Sequence, residues 1–315
     1  MVQSGVIDVS PDYQRHFVWE DERESELIES ILLGIPVPSL YMATNPDSSW
    51  EVVDGVQRLS TLVHFCGSLD QIAGVGRKDP LKLKGLSKLT QFNNLRFDDL
   101  PSSTKTYLTL RPIRITTLND RSDVYVRYDL FERLNTGGVK LHPQEIRNCV
   151  MSGALRDAIK RLAMDSDFRS VVRLPSNEVE MASYEEMVLR FFAFHDKYTE
   201  FDHDVGDFLT SYMQKNAKSG PSIGLEKLFL STMLSLKQHL PNGISRNGRR
   251  QTPVNLYEGV AVGTALALEK KSNLNWGKLP GLMESGEMKK FSTGATNSRP
   301  MVKGRIELVR DALLG

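Results

Sequence analysis

Strand signals fade after about residue 150 of this 315-residue chain, and from there apolar residues recur only at helical spacing, in stripes at 154–164, 179–196, 205–216, 224–240, 254–270 and 303–314. Side chains that return every three to four positions give each helix one face to bury, and a succession of such helices closes as a bundle. The first 150 residues read differently. "GVIDVS" is a short strand ended by Pro11, and Asp21 to Leu33 is an amphipathic helix with Leu27, Ile28, Ile31 and Leu32 on one stripe and acids crowded into its first turns. Gly34 stops that helix and "IPVP" forces an extended exit, after which "SLYMAT" and "WEVVD" are buried strands joined by "NPDSS". A second helix starts near Gln57, with Leu59, Leu62, Val63 and Cys66 on its stripe.

Further along, residues 68–106 read as a long connection carrying a short hairpin or helix, "RPIRITTL" as a strand and "DVYVRYDLFERL" as a helix that "NTGG" breaks. "HPQEIRNCVMSG" opens another helix, with Pro143 in its first turn. The expectation is an α+β protein: an α/β domain over 1–150 and an all-α helical domain over 151–315, with the irregular loop "PNGISRNGRRQTP" inside the second.

Forty Lys and Arg against thirty-nine Asp and Glu leave a formal net charge of +1, so no global field draws the chain to a polyanion, and any such contact needs a local patch. The two cysteines, Cys66 and Cys149, sit within helical stripes without a CxxC spacing or metal-type partners, which fits buried, inert thiols in a reducing cytosol. No stretch reaches the roughly 20 apolar residues of a membrane span. A cytoplasmic location without membrane contact is expected.

The chemistry concentrates at "VVDGVQRLST", residues 52–61, where a buried strand becomes a helix. The first backbone N–H groups of a helix lack internal partners and sit at the positive end of its dipole, so they make an anion site. Gly55 allows a left-handed backbone and a close ligand, Gln57 both gives and accepts hydrogen bonds, and Arg58 offers a planar fork for phosphate. Asp54 is suited to a magnesium ion or a ribose hydroxyl. The plainer alternative is that Asp54 caps the helix and Arg58 pairs with a surface acid.

Two more stretches carry the same mix of residues. "YQRHFVW" sets Gln14 and Arg15 among Tyr13, Phe17 and Trp19, which suits a flat base and a charged group or, more plainly, an aromatic cluster with an Arg along its edge. "FERLNTGGVKLHPQEIRN" joins a Gly-Gly turn after Asn135 and Thr136 to Arg133, Glu145, Arg147 and Asn148 on flanking helix ends, or is a helix–turn–helix corner with a local ion pair.

"YQRHFVW", "LIESILLGIPVPSLYM", "VVDGVQRLSTL" and "FERLNTGGVKLHPQEIRN", in this order, resemble the N-terminal family of GmrSD-type modification-dependent restriction enzymes, the DGQQR-motif family; "VKGRIELV" resembles its closing segment. The resemblance implies a ParB/sulfiredoxin-like N-terminal fold that binds a nucleoside triphosphate with Mg2+ and hydrolyses it to control DNA cleavage. By motif, Asp54, Gln57 and Arg58 take the catalytic positions. Tyr13, Gln14, Arg15, Gly55, Arg58, Asn135, Thr136, Gly137 and Gly138 take the nucleotide contacts, and Asp54 with Glu145 the metal. Val56 stands where the family has Gln, so binding is better supported than hydrolysis. "SPD" replaces the usual Ile-Pro before Tyr13, and an upstream helix common in the family is expected to be absent or truncated.

None of the six histidines lies in a His-Asn-His arrangement, so no nuclease of that type is expected in this chain, and "HDKYTEFDHD" at 195–204 reads as a solvated loop more readily than as a metal site. The leading expectation is a nucleotide-binding component of anti-phage restriction, an NTPase if hydrolysis survives, with a partner nuclease or a second copy of itself. The alternative is a DNA-binding module or nuclease subunit acting on modified DNA, supported by Arg246, Arg249 and Arg250 in "SRNGRR".

Overall fold

In the computed structural model of the chain, residues 7–8, 19–44, 49–118, 128, 142–176, 180–246, 250–294 and 296–315 are described. They fall into two compact units, Met1–Leu141 and His142–Gly315. The division precedes the helix at Pro143–Val150, which the sequence reading gives to the first domain.

The first unit holds β1 (Ile7–Asp8), α1 (Asp21–Leu32), β2 (Leu40–Thr44), β3 (Trp50–Asp54), α2 (Val56–Cys66), α3 (Leu69–Gly74), α4 (Ser102–Thr109) and β4 (Ile115–Leu118). The strands form one mixed sheet in the order β1-β3-β2-β4, antiparallel at its centre and parallel at both outer pairs. Asp21, Glu22 and Glu24 stand at the favourable end of the α1 dipole. At its other end Gly34, at φ 76°, donates to Ile31 O while Ile35 donates to Ser30 O, the double bond of a Schellman stop.

Leu40, Met42, Val52 and Leu59 pack α2 onto the sheet, and Ile28, Ile31 and Phe65 join α1 and α2 to Leu81, Leu83, Leu86, Leu100 and Leu108. Those last five leucines come from the supposed connection and its neighbour α4, so the 68–106 segment is core rather than mere linkage. Its path is set by polar groups of α1. Glu29 accepts the backbone N–H of Lys88 and Leu89 at 2.7 and 2.8 Å, and Ser25 accepts that of Lys84 at 2.9 Å. The buried Glu24 carboxylate holds His64 at 2.7 Å and Arg77 at 3.0 Å. Cys66, in the last turn of α2, is exposed, contrary to the buried thiol expected from its stripe, because the chain turns away at Gly67.

Among the described residues of the second unit the regular elements are all helical: α5 (Pro143–Val150), α6 (Ala154–Ala163), α7 (Ser166–Val171), α8 (Glu180–Lys197), α9 (Val205–Asn216), α10 (Ile223–His239), α11 (Val254–Tyr257), α12 (Gly263–Lys270), α13 (Leu279–Glu284), α14 (Gly286–Ser292) and α15 (Arg299–Leu314). A π turn at Glu258–Val262 joins α11 to α12 inside what reads as one stripe. Phe168, Phe191, Phe192, Phe194, Phe201 and Phe229 fill the core around α8, meeting mostly edge to face or tilted. A Cβ on Gly263 would lie 2.6 Å from Ile306 O, so glycine is what lets α12 rest directly on α15. Among the described residues no helix is long and apolar enough to cross a membrane.

Candidate functional site

β3 ends at Asp54, and the chain reverses into α2 through Gly55 at φ 98°, ψ 17°. A Cβ on Gly55 would lie 2.4 Å from Leu40 Cδ2, so the turn demands glycine both for its left-handed backbone and for its closeness to β2. The helix then begins with Leu59 N–H donating to Gly55 O at 2.8 Å, and its N-cap, Gly55, supplies no side-chain cap. The expected strand–glycine–helix junction is therefore present in the described geometry.

Arg58 turns back over this junction. Its Nη2 donates to Asp54 Oδ2 at 2.6 Å, and its Nη1 donates to the carbonyls of Pro38 at 2.5 Å and Ser39 at 3.2 Å. One guanidinium thus ties α2, the end of β3 and the entry to β2 together. It pairs with an acid, as the plainer reading has it, but the acid is Asp54, the very residue of the motif. Asp54 is 40% exposed at its side chain and Arg58 13%. Among the described residues Asp54 Oδ1 has no hydrogen-bond partner, so the clasp holds the carboxylate by one oxygen and leaves the other uncommitted.

Gln57 Oε1 accepts the backbone N–H of Trp19 at 3.2 Å, which fastens the end of the "YQRHFVW" stretch to the turn. Tyr13, Gln14 and Arg15 lie outside the described residues, as do Asn135, Thr136, Gly137 and Gly138. Val56, where the resembling family has Gln, packs against the Leu40, Met42, Val52 and Leu59 cluster. Its side chain is partly buried there.

The "HPQEIRN" part of the second block lies in the second unit and is nearly all buried. His142 caps α5, its Nδ1 accepting from Gln144 N–H at 3.2 Å, and Glu145 Oε2 accepts His142 N–H at 2.5 Å. The Glu145 carboxylate, expected to hold a metal, closes a capping box through Oε2 and is 5% exposed. Among the described residues no group of three or more His, Cys, Asp or Glu could hold a metal.

Beside it runs a chain of buried charges that sequence reading missed. Arg147 donates to Gln144 at 2.8 Å and to Glu186 at 3.2 Å, and Arg190 bridges Glu186 at 2.8 Å and Glu258 at 2.5 Å. The fully buried Arg305 then bonds the other oxygen of Glu258 and the carbonyl of Thr296. Burial would raise the Glu186 carboxyl, but Arg190 and Arg147 outweigh it and hold it at about 2. In the adjacent Glu185 burial wins over the Asn148 hydrogen bond, and its carboxyl is raised. Burial also lowers His142. The only sequence signal was the sparse charge in α8, where Glu186 and Arg190 stand i,i+4 among apolar residues.

The basic loop divides. Arg246, expected to meet DNA, is buried and donates to Met283 O at 3.3 Å and Thr293 Oγ1 at 3.1 Å, as well as to Ser292, so its guanidinium serves the fold. Arg250 is exposed, and Arg249 lies outside the described residues. In "HDKYTEFDHD", His195 to Lys197 end α8 and Asp204 caps α9 by accepting Asp207 N–H at 2.8 Å.

No curated protein and no solved structure matches the chain. A family match is found over residues 1–152, which contains the Asp54–Arg58 turn and ends just past α5. The matching family model is that of the GmrSD restriction endonuclease, N-terminal domain, to which this part of the chain is similar.

Proposed function

We propose that this chain is a nucleotide-binding component of a GmrSD-type restriction system, with a nucleoside triphosphate seated where β3 hands over to α2. The observation that carries the reading is the Gly55 junction: a helix start whose N-cap is a glycine and gives no side-chain cap, next to a carboxylate that Arg58 holds in place. Amides at such a start and the dipole behind them favour a phosphate.

Asp54 suits Mg2+, because its Oδ1 is uncommitted among the described residues and a single carboxylate plus phosphate oxygens is the usual magnesium environment. Mg2+ would neutralise phosphate charge there. Glu145 does not share that role, its carboxylate being engaged at the α5 cap. Arg58 acts by orienting Asp54, and Gln57 by joining the turn to the Trp19 backbone. Tyr13, Gln14, Arg15 and the Asn135–Gly138 turn complete the nucleotide contacts in this reading, within a first unit of ParB/sulfiredoxin-like fold. With Val56 turned to the core, binding is the proposed activity and hydrolysis a weak one. Cleavage of modified DNA falls to a nuclease working with this chain.

The test is to titrate labelled GTP, ATP, CTP and UTP, each with Mg2+, against the protein and its Arg58→Ala and Asp54→Asn variants. Saturable binding of at least one nucleotide, weakened at least about tenfold in both folded variants, is expected for loss of a charge-assisted contact. Equal weak binding by all three proteins contradicts the reading.

A further inference from the structure

The second unit contains a cavity of 680 Å³ among the ends of α8, α9, α10 and α12. On its wall, the His195 ring of α8 stacks on Phe191 with an interplanar angle of 13°. Nδ1 lies 2.9 Å from Asp196 Oδ1 and Nε2 lies 3.2 Å from Glu269 Oε2. Tyr212 of α9 donates to the other Asp196 oxygen at 2.6 Å. A single hydrogen-bonded line, Tyr212–Asp196–His195–Glu269, therefore ties α9 and α12 to α8.

A neutral imidazole carries one N–H and one lone pair, whereas an imidazolium carries two N–H groups. With a carboxylate at each ring nitrogen, only the imidazolium satisfies both; the neutral ring must point a lone pair at one of them. Asp196 is held on its far side by Tyr212, whereas Glu269 is 47% exposed at its side chain and makes the longer contact. The weaker end of the line is thus the one that joins α8 to α12.

We propose that His195 is a proton-operated latch on this cavity: the imidazolium clamps Glu269 of α12 to α8, and loss of its proton frees Glu269 and loosens that wall. Among the described residues the titratable groups facing the ring are Asp196 from α8, Tyr212 from α9 through Asp196, and Glu269 from α12, and Lys227 of α10 also lines the cavity. The neighbouring Lys197 is engaged by Glu200 at 2.6 Å. Burial alone would lower the His195 pKa, but the two carboxylates outweigh it and raise it, so the latch opens above the ordinary histidine range. While both nitrogens donate, His195 has no lone pair for a metal or a substrate proton.

A folded-state pKa above the unfolded one gives stability that is complete below the unfolded value, roughly 6.5, and lost as pH rises through the folded value. The experiment is an NMR titration of the His195 ring in the full chain, together with unfolding of the wild type, His195→Gln and Glu269→Gln across neutral to alkaline pH. The expected results are a ring midpoint above the ordinary value, a fall of that midpoint in Glu269→Gln, and a wild-type loss of stability through the midpoint that is missing in His195→Gln. Amide exchange of the α12 residues should quicken over the same pH range once the intrinsic rate is removed. A ring midpoint at or below the ordinary value, or wild-type and Glu269→Gln proteins with the same pH profile, overturns the proposal, and Glu269→Gln keeps it testable if His195→Gln does not fold.

Discussion

The turn at Asp54–Arg58 and the chain from Arg147 to Arg305 are both built from guanidinium and carboxylate, and they spend their charge in opposite ways. At the turn, Arg58 uses its donors on one oxygen of Asp54 and on the two carbonyls just before β2, leaving the second carboxylate oxygen uncommitted among the described residues beside a helix start with a glycine N-cap. Along the chain from Arg147 to Arg305 the charges meet inside the second unit: Glu258, fully buried, gives one oxygen to Arg190 and the other to Arg305. Charge enclosed in that way is costly to desolvate and serves to fix one arrangement of helices, whereas charge oriented at a surface remains available to a ligand.

The largest effect that would break this contrast is in the enclosed set. Glu258→Gln leaves Arg190 and Arg305 short of a counter-charge and should destabilise the second unit by about 3–5 kcal/mol, read by chemical unfolding; a change within the error of the measurement would mean that these charges are not mutually dependent. The acid limb comes next. Because Glu186 is held at about 2 against an ordinary 4.5, it contributes stability that is present above the ordinary value and lost as pH falls from there toward 2. Glu186→Gln should therefore flatten the wild-type decline over that interval.

At the turn, Gly55→Ala should cost about 1–3 kcal/mol through the positive φ and the approach to Leu40, measured by thermal unfolding of the first unit. Arg58→Ala should cost only about 1 kcal/mol of stability, since its ion pair is partly exposed, while reducing triphosphate binding much more. That split between a small loss of stability and a large loss of binding sharpens the comparison, and a variant that loses both in proportion would place Arg58 with the structural arginines.

How much of this was legible in the sequence follows the range of each interaction. β2, β3 and α2 are written locally, in short apolar runs, a glycine and an apolar stripe. Gly34 and the acids of α1 likewise announce both ends of that helix. Residues 68–106 were not legible, because Leu81, Leu83, Leu86 and Leu100 follow no single period and the polar groups that hold the segment, Ser25, Glu29 and His64, come from elsewhere in the chain. The Asp54–Arg58 pair was open to sequence reading as an i,i+4 contact. Arg147–Glu186–Arg190–Glu258–Arg305 was not, since its members are drawn from helices spread over more than half of the chain. The inward turn of Arg246 was equally hidden: "SRNGRR" looks basic whichever way its side chains point. The "DVYVRYDLFERL" helix and the glycine turn after it fall, save Tyr128, outside the described residues.

The central claim is that the opening turn of α2 receives an anionic ligand. Its most direct test is to follow the backbone amide resonances of Gly55, Val56, Gln57 and Arg58 as a Mg2+–triphosphate is added to the full chain. The account predicts saturable shifts centred on these four amides, matching the binding curve and absent when the Asp54→Asn variant is titrated over the same range. Saturable nucleotide binding that leaves all four unmoved, with shifts clustered elsewhere, would contradict it.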